Sequence, residues 1–333
     1  MNDFLTGIIG GIYSVLGNYG WSIAVFTLLI RLILMPFDYK SRVSMRRMSK
    51  LQPKITALQK KYAKDQNKLN QKISELYKQE HVSPLSGCLP MLLSYPILIA
   101  MFTAMRSFAN QQVVKQILEI LQNPTVMPTL DSWLWVRNLW MPDSPFAAVL
   151  PDFNTMRIIP SDVWLKYFTP EVIAQLPAAL SELTADSFAS ANLNATITTI
   201  NTYLQSLPLY QEATSILPGW TFNVMITSFS IMKEYNGLFL LPILSAVSQL
   251  AMTKLNPAQP DAQANSQQAS TGKFMTWFFP LFSLWLCASY NGAFALYWVT
   301  SNLIALLQTY FINKYLDDKE KRDAEQKTEV SKI

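Results

Sequence analysis

The stretch FTLLIRLILMP, residues 26–36, sets one arginine, Arg31, among apolar side chains. An arginine at the centre of a bilayer costs at least ~2.5–3.5 kcal/mol on translocon-insertion scales, and intramembrane charge concentrates where a membrane protein works. Whether Arg31 carries that meaning depends on whether its segment lies in a membrane, and the rest of the chain decides this.

Of 333 residues, 50% are apolar and only 15% charged, against about 25% charged in a soluble domain. The deficit is concentrated. Stretches 82–105, 235–253 and 274–313 contain no Asp, Glu, Lys, Arg or His. A spanning helix needs ~20 mostly apolar residues to cross ~30 Å of hydrocarbon. The pattern predicts an all-α polytopic membrane protein with five transmembrane helices, over 20–37, 82–107, 236–254, 274–290 and 293–312. Tyr290-Asn291-Gly292 supplies the turn that divides the last apolar stretch in two.

Loop charge predicts orientation. Residues 38–81 carry twelve Lys or Arg against four acids, a net +8, whereas 108–234 carry five against ten, a net −5. Basic loops stay in the cytoplasm. The expected protein is therefore a multi-pass membrane protein, N-terminus outside and C-terminus in the cytoplasm. MNDFLTGIIGG has no basic segment of the kind that opens a cleavable signal.

Between and around the spans, residues 1–19 are apolar but broken by glycine, which suits an interfacial helix on the outer leaflet. In the basic loop 38–81, Met48, Leu51, Ile55, Leu58 and Tyr62 recur at helical spacing, and Leu69, Ile73 and Leu76 resume it. Two helices over about 40–62 and 66–80 follow, packed as a cytoplasmic hairpin, with Pro53 a candidate bend. Residues 108–235 form an external region with helix-like pieces at 111–122, 161–182 and 197–206 and no assignable fold. Residues 255–273 read as a polar linker, and 313–333 as a charged, solvated tail.

Two readings of Arg31 stay open on the residues alone. It stands five residues before Pro36, about 7–8 Å by helix rise, so its side chain can snorkel to the cytoplasmic edge. Alternatively it faces a wet cavity. Thr27 shares its face one turn earlier; Ser245, Ser248 and Gln249 share a face of span 3; and Ser301, Asn302 and Thr309 lie on span 5 near Trp298. Such residues face a bundle interior or water, although hydroxyls also serve as helix glue. No span interior holds an Asp, Glu or His, and His81 is the only histidine. Proton relays, catalytic triads and zinc centres are thereby disfavoured. No GxxxxGK[ST] run is present, so no nucleotide is expected, and neither is any other cofactor.

At GNYGWSIAVFTLLIRLILMPF (17–37), SMRRMSKLQPKITALQKKY (44–62), DQNKLNQKISELYKQEHVSPLSGCLPMLLSYPI (65–97), LPILSAVSQL (241–250) and FMTWFFPLFSLWLCASYNGAFALYWVTSNLIALLQTYFINK (274–314) the chain resembles the YidC/Oxa1/Alb3 membrane protein insertases in their five-span form. WLWVRNLWMPDSP (133–145) is similar to that family's segment after span 2. Ser94 stands where many members have Gln, Tyr290 lies where a proline is usual, and about ninety residues, 146–235, intervene before span 3.

The resemblance implies a non-enzymatic insertase and chaperone of the bacterial plasma membrane, with a hydrophilic groove open to cytoplasm and lipid and holding one arginine. Arg31 matches that arginine, Thr27 its neighbour, and Gln249 and Trp298 further groove positions; Ser245, Ser248, Asn302 and Ser94 complete the candidate set. Implied partners are nascent membrane proteins, the lipid bilayer, the ribosome and the Sec translocon. Arg42, Arg46, Arg47, Lys50, Lys54, Lys60 and Lys61 are candidates for ribosome or lipid contact, with an ordinary solvated basic face as the plainer reading. A small transporter or channel, or an assembly factor acting through its external region, is the competing function.

Overall fold

The computed structural model describes residues 2–80, 89–224, 227–255 and 266–330, and these are mostly helical. Helix α1 (Asn2–Leu16) leads into α2 (Tyr19–Lys61), α3 (Gln66–Gln79) and α4 (Leu89–Gln122). Five short helices follow: α5 (Phe153–Arg157), α6 (Ser161–Tyr167), α7 (Pro170–Ile173), α8 (Leu193–Gln205) and α9 (Pro208–Ala213). Strands β1 (Ile216–Val224) and β2 (Thr227–Met232) precede α10 (Leu240–Leu255), α11 (Ser266–Ser289) and α12 (Gly292–Val330). Among the described residues two helices, α2 and α12, are long and apolar enough to cross a membrane, while the apolar helices at Leu240–Leu255 and Thr276–Ser289 are shorter.

The chain divides into two compact units. The first comprises residues 1–26, 100–244 and 284–298, the second 27–99, 245–283 and 299–333.

In the first unit, α1 stops at Gly17, whose φ of +65° favours glycine and whose amide donates to Tyr13 O at 2.7 Å. Asn18 then starts α2, accepting from Trp21 N at 3.2 Å. Aromatic rings gather here, Tyr19 against Phe108 and Trp140 (both 5.3 Å) and Trp21 against Trp133 (5.5 Å).

Residues 131–149 are held by buried amides. Asn138 donates to Gln116 Oε1 (3.0 Å) and Val149 O (2.8 Å) and accepts from Trp140 N (3.1 Å). Asn236 donates to the carbonyls of Asn138, Met141 and Pro142 and accepts from Asn138 N. Both asparagines are 0% exposed, so every one of these bonds replaces water that cannot reach them.

The same segment braces two helix starts. Asp143 accepts from Phe239 N (3.2 Å) and Leu241 N (2.7 Å) at the head of α10, and Gly292 N and Ala293 N at the head of α12 donate to Met141 O and Leu139 O, each at 2.8 Å. Gly237 admits the carboxylate, because a Cβ there would stand 2.1 Å from Asp143 Oδ1.

Residues 150–214, where the sequence offered no fold, build a small helical core. Trp164, Phe168 and Phe188 cluster with ring centroids 4.6–6.1 Å apart, next to buried Ile197, Ile200 and Leu204 along α8. The Tyr210 hydroxyl donates to Pro151 O at 2.6 Å, and burial raises its pKa. The helix expected over 161–182 is instead split into α6, α7 and a 3₁₀ turn at Ala178–Leu180, with Pro170 and Pro177 each placed at a helix start. The piece expected at 111–122 is the end of α4.

In the second unit, α2 runs unbroken past residue 38 to Lys61, through Pro36 and Pro53. Asp65 caps α3, accepting from Lys68 N. Leu51 and Ile55 of α2 are buried with Met48 of α2 and Ile73, Leu76 and Tyr77 of α3 around them. Each fully buried aliphatic side chain there is worth ~1.5–3 kcal/mol. Residues 314–330, read as a solvated tail, continue α12.

Candidate functional site

Away from the α2–α3 seam, the usual sorting of side chains in the second unit is largely inverted. Many large apolar residues point outward: Leu28, Leu29, Leu32 and Ile33 on α2, Val247 on α10, Phe274, Trp277, Phe278 and Leu281 on α11, and Leu303, Leu307 and Phe311 on α12 are all exposed, while Val299, Ile312 and Leu316 stay buried. Thr27, Ser245, Ser248, Ser283, Ser301 and Thr309 are buried instead. In water this arrangement would be unstable. In hydrocarbon it is the favoured one, because lipid solvates the apolar faces and the polar atoms must find each other.

Arg31 sits among those hydroxyls, half-buried. Its Nε and Nη2 both donate to Ser301 Oγ of α12, at 2.9 and 2.6 Å, and its own carbonyl accepts from Gln308 Nε2 at 3.1 Å. A neutral hydroxyl thus holds the guanidinium. Among the described residues no carboxylate lies within ion-pair distance of it, although Asp38 is near enough to feel the charges of both Arg31 and Arg42. One residue along α12, Asn302 donates to Ser248 Oγ at 3.2 Å, and Ser248 donates to Ser245 O at 2.8 Å.

The sequence candidates separate accordingly. Arg31, Ser245, Ser248 and Asn302 join hydrogen-bonded contacts among α2, α10 and α12; Thr27 is buried on α2, and Gln249 is half-buried on α10. Trp298 belongs to the first unit, where its ring lies 5.7 Å from Phe294. The side chain of Ser94 lies outside the described residues.

The basic candidates on α2 are partly committed within the chain. Arg42 donates to Thr309 Oγ1 (2.5 Å). Arg46 reaches Asn313 O (3.0 Å), Asp317 (2.5 Å) and Glu320 (3.5 Å), Lys50 pairs with Glu320 (2.9 Å), and Lys54 with Glu80 (2.5 Å). The hydrogen bond from Lys50, and then the Lys50 and Arg46 charges, hold Glu320 below the ordinary carboxylate range. Arg47, Lys60 and Lys61 are exposed. Sequence reasoning missed the pairing of 42–50 with 309–320, whose signal was basic residues at turn spacing on one helix and acids at turn spacing on another.

The family model described as 60Kd inner membrane protein, the YidC/Oxa1 family, matches residues 11–320. The chain belongs to that family. Similar relatives include the membrane protein insertase YidC of Fusobacterium nucleatum, 39% identical over 154 residues, which are 46% of this chain and 65% of the relative. The YidC of Clostridium perfringens is 33% identical over 170 residues, 51% of this chain and 63% of the relative. That of Ruegeria pomeroyi is 28% identical over 301 residues, 90% of this chain and 34% of the relative. The matches therefore span less than two thirds of these relatives' own length.

Proposed function

We propose that the chain is a membrane protein insertase and chaperone, working through a hydrophilic groove on the second unit that holds Arg31. The observation carrying this reading is the inverted burial around a guanidinium bonded to a hydroxyl. Among the described residues no carboxylate is bonded to it, which leaves its positive charge available to an acidic group brought by a guest. Family membership and the names of the relatives support the same function.

In the proposed mechanism, a polar, often acidic segment of a nascent membrane protein enters beside Thr27, Arg31, Gln249 and Asn302, while its apolar helix moves along the outward apolar faces into lipid. Partial entry shortens the hydrocarbon distance that its charges must cross, and so lowers the desolvation barrier. The membrane potential, ~2.3 kcal/mol per charge per 100 mV, assists acidic residues outward. The proposed topology is five spans, with the basic residues 38–81 in the cytoplasm and residues 108–235 outside. Exposed Arg47, Lys60 and Lys61 are the proposed contacts for the ribosome or anionic lipid; the Sec translocon is a further proposed partner.

Photo-crosslinkers placed at Gln249 and Asn302 test the reading directly. Stalled nascent membrane proteins should crosslink through their polar flank and adjoining span. Solute flux in liposomes without any such crosslink would transfer the assignment to a small transporter.

A further inference from the structure

Strands β1 and β2 form a hairpin of unusual composition. Residues 216–232 include no charged residue, while Glu212, Lys233 and Glu234 stand just outside. The antiparallel register pairs Phe222 with Phe229 and Asn223 with Ser228, so Trp220, Phe222 and Phe229 share one face and Thr221, Asn223, Ser228 and Ser230 the other. On the polar face Thr221 and Ser230 are 3.1 Å apart through their hydroxyls, and Ser228 donates to Asn223 Oδ1 at 2.7 Å. The aromatic face is open, with Trp220 51%, Phe222 48% and Phe229 39% exposed.

That face continues into a helix surface suited to hydrocarbon. Phe146 lies 5.4 Å from the Phe229 ring and 6.5 Å from that of Phe239, at the head of α10. Beyond it Leu240, Ile243 and Leu244 of α10 are exposed. Backbone bonds fix the hairpin base, Met232 N to Pro145 O and Lys233 N to Ser215 O, both at 2.9 Å.

We propose that the hairpin docks on the lipid bilayer itself, its aromatic face seated at the headgroup–acyl boundary. Trp favours that depth, and Phe suits the apolar side of a segment lying in the interface. A limit on depth follows from the backbone: a two-stranded sheet has two open edges, whose N–H and C=O groups cannot be satisfied in hydrocarbon. The hairpin therefore lies flat in the interface, polar face to water. This goes beyond the insertase reading and does not depend on it.

The test uses the full chain in phosphatidylethanolamine–phosphatidylglycerol nanodiscs, Cys88 and Cys287 replaced by alanine, with an environment-sensitive NBD probe on Phe222→Cys or Asn223→Cys. Trp220→Cys reports the aromatic face independently. Probes at 220 and 222 should emit blue-shifted light and lose it to nitroxides near the headgroup end of the acyl chain, much less to nitroxides near its methyl end; the 223 probe should behave as in water. Quenching reads bilayer contact whichever leaflet is involved, so insertase activity does not affect the result. Water-like emission at both 220 and 222 would overturn the proposal. So would a blue shift without lipid quenching, or one lost when each nanodisc holds a single copy, since these assign the face to a protein.

Discussion

Replacing Arg31 by alanine should discriminate between guests by their charge. The guanidinium is half-buried and hydrogen-bonded to Ser301. A guest carboxylate arriving at 4 Å would gain about 1 kcal/mol in a water-like groove and about 4 kcal/mol at an effective dielectric of 20. Half-burial places the site between these limits, near 2 kcal/mol, or about 30-fold at 1.4 kcal/mol per decade. The assay is insertion into proteoliposomes, read by protease protection, of two single-span guests differing only in an acidic or a neutral translocated tail. Arg31→Ala should slow the acidic guest about 30-fold and the neutral one little. Arg31→Lys keeps the charge and gives up part of the contact with Ser301, about 1 kcal/mol or roughly fivefold at most. Equal losses for both guests would refute the electrostatic argument and leave Arg31 as a brace between α2 and α12.

Asn138→Ala should destabilise the protein by about 3 kcal/mol in detergent unfolding titrations, because Gln116, Val149 O and Trp140 N lose a buried partner. Asn302→Ala, which removes one contact to Ser248, should cost only about 0.6 kcal/mol, the average for hydrogen bonds between membrane helices. Gly237→Ala should lower the melting temperature by pushing the Asp143 carboxylate off the amides of Phe239 and Leu241, and should do little further harm in an Asp143→Ala background. Glu320, its folded pKa depressed by Lys50 and Arg46, contributes stability above its unfolded pKa that is lost as pH falls through the folded value. Protease sensitivity of residues 314–326 should therefore rise on acidification, and Glu320→Gln should flatten that dependence.

Helical period and intramembrane charge are local signals, and they were readable. Arg31 stood out because nothing around it is charged, and the seam of Met48, Leu51 and Ile55 repeats at helical spacing. Pairings across the chain were not readable. Asn138 and Asn236 are 98 residues apart, and nothing in either neighbourhood specifies the other. Residues 314–333 balance six basic against six acidic side chains, so their net charge hid the use of Asp317 and Glu320 as partners for Arg46 and Lys50. The hairpin did leave a trace, the alternation Trp220-Thr221-Phe222-Asn223. It lacks the Asn-Gly or Asp-Gly step that announces a tight turn, and a short alternating run among Thr- and Ser-rich neighbours is weak without one.

The two units illustrate different ways of holding helices together. In the first, rings and aliphatic side chains are buried around Trp140, Trp164 and Phe188, and amide networks satisfy the backbone between them. Few apolar side chains are buried in the membrane helices of the second, and lipid offers no hydrophobic incentive for such helices to associate. Close packing and polar contacts such as Ser248 with Asn302 and Arg31 with Ser301 supply the cohesion there, each such contact worth a fraction of a buried core residue. Weak polar cohesion is costly for a rigid scaffold and useful for a surface that must admit a guest and release it. Under the proposed insertase function, a nascent segment carrying hydroxyls, amides or a carboxylate would exchange bond for bond with these groups, so little would be lost at any step. An aliphatic interface of equal area would have to open a cavity first, and that cost, about 20 cal/mol per Å² of cavity surface, grows with the size of the guest.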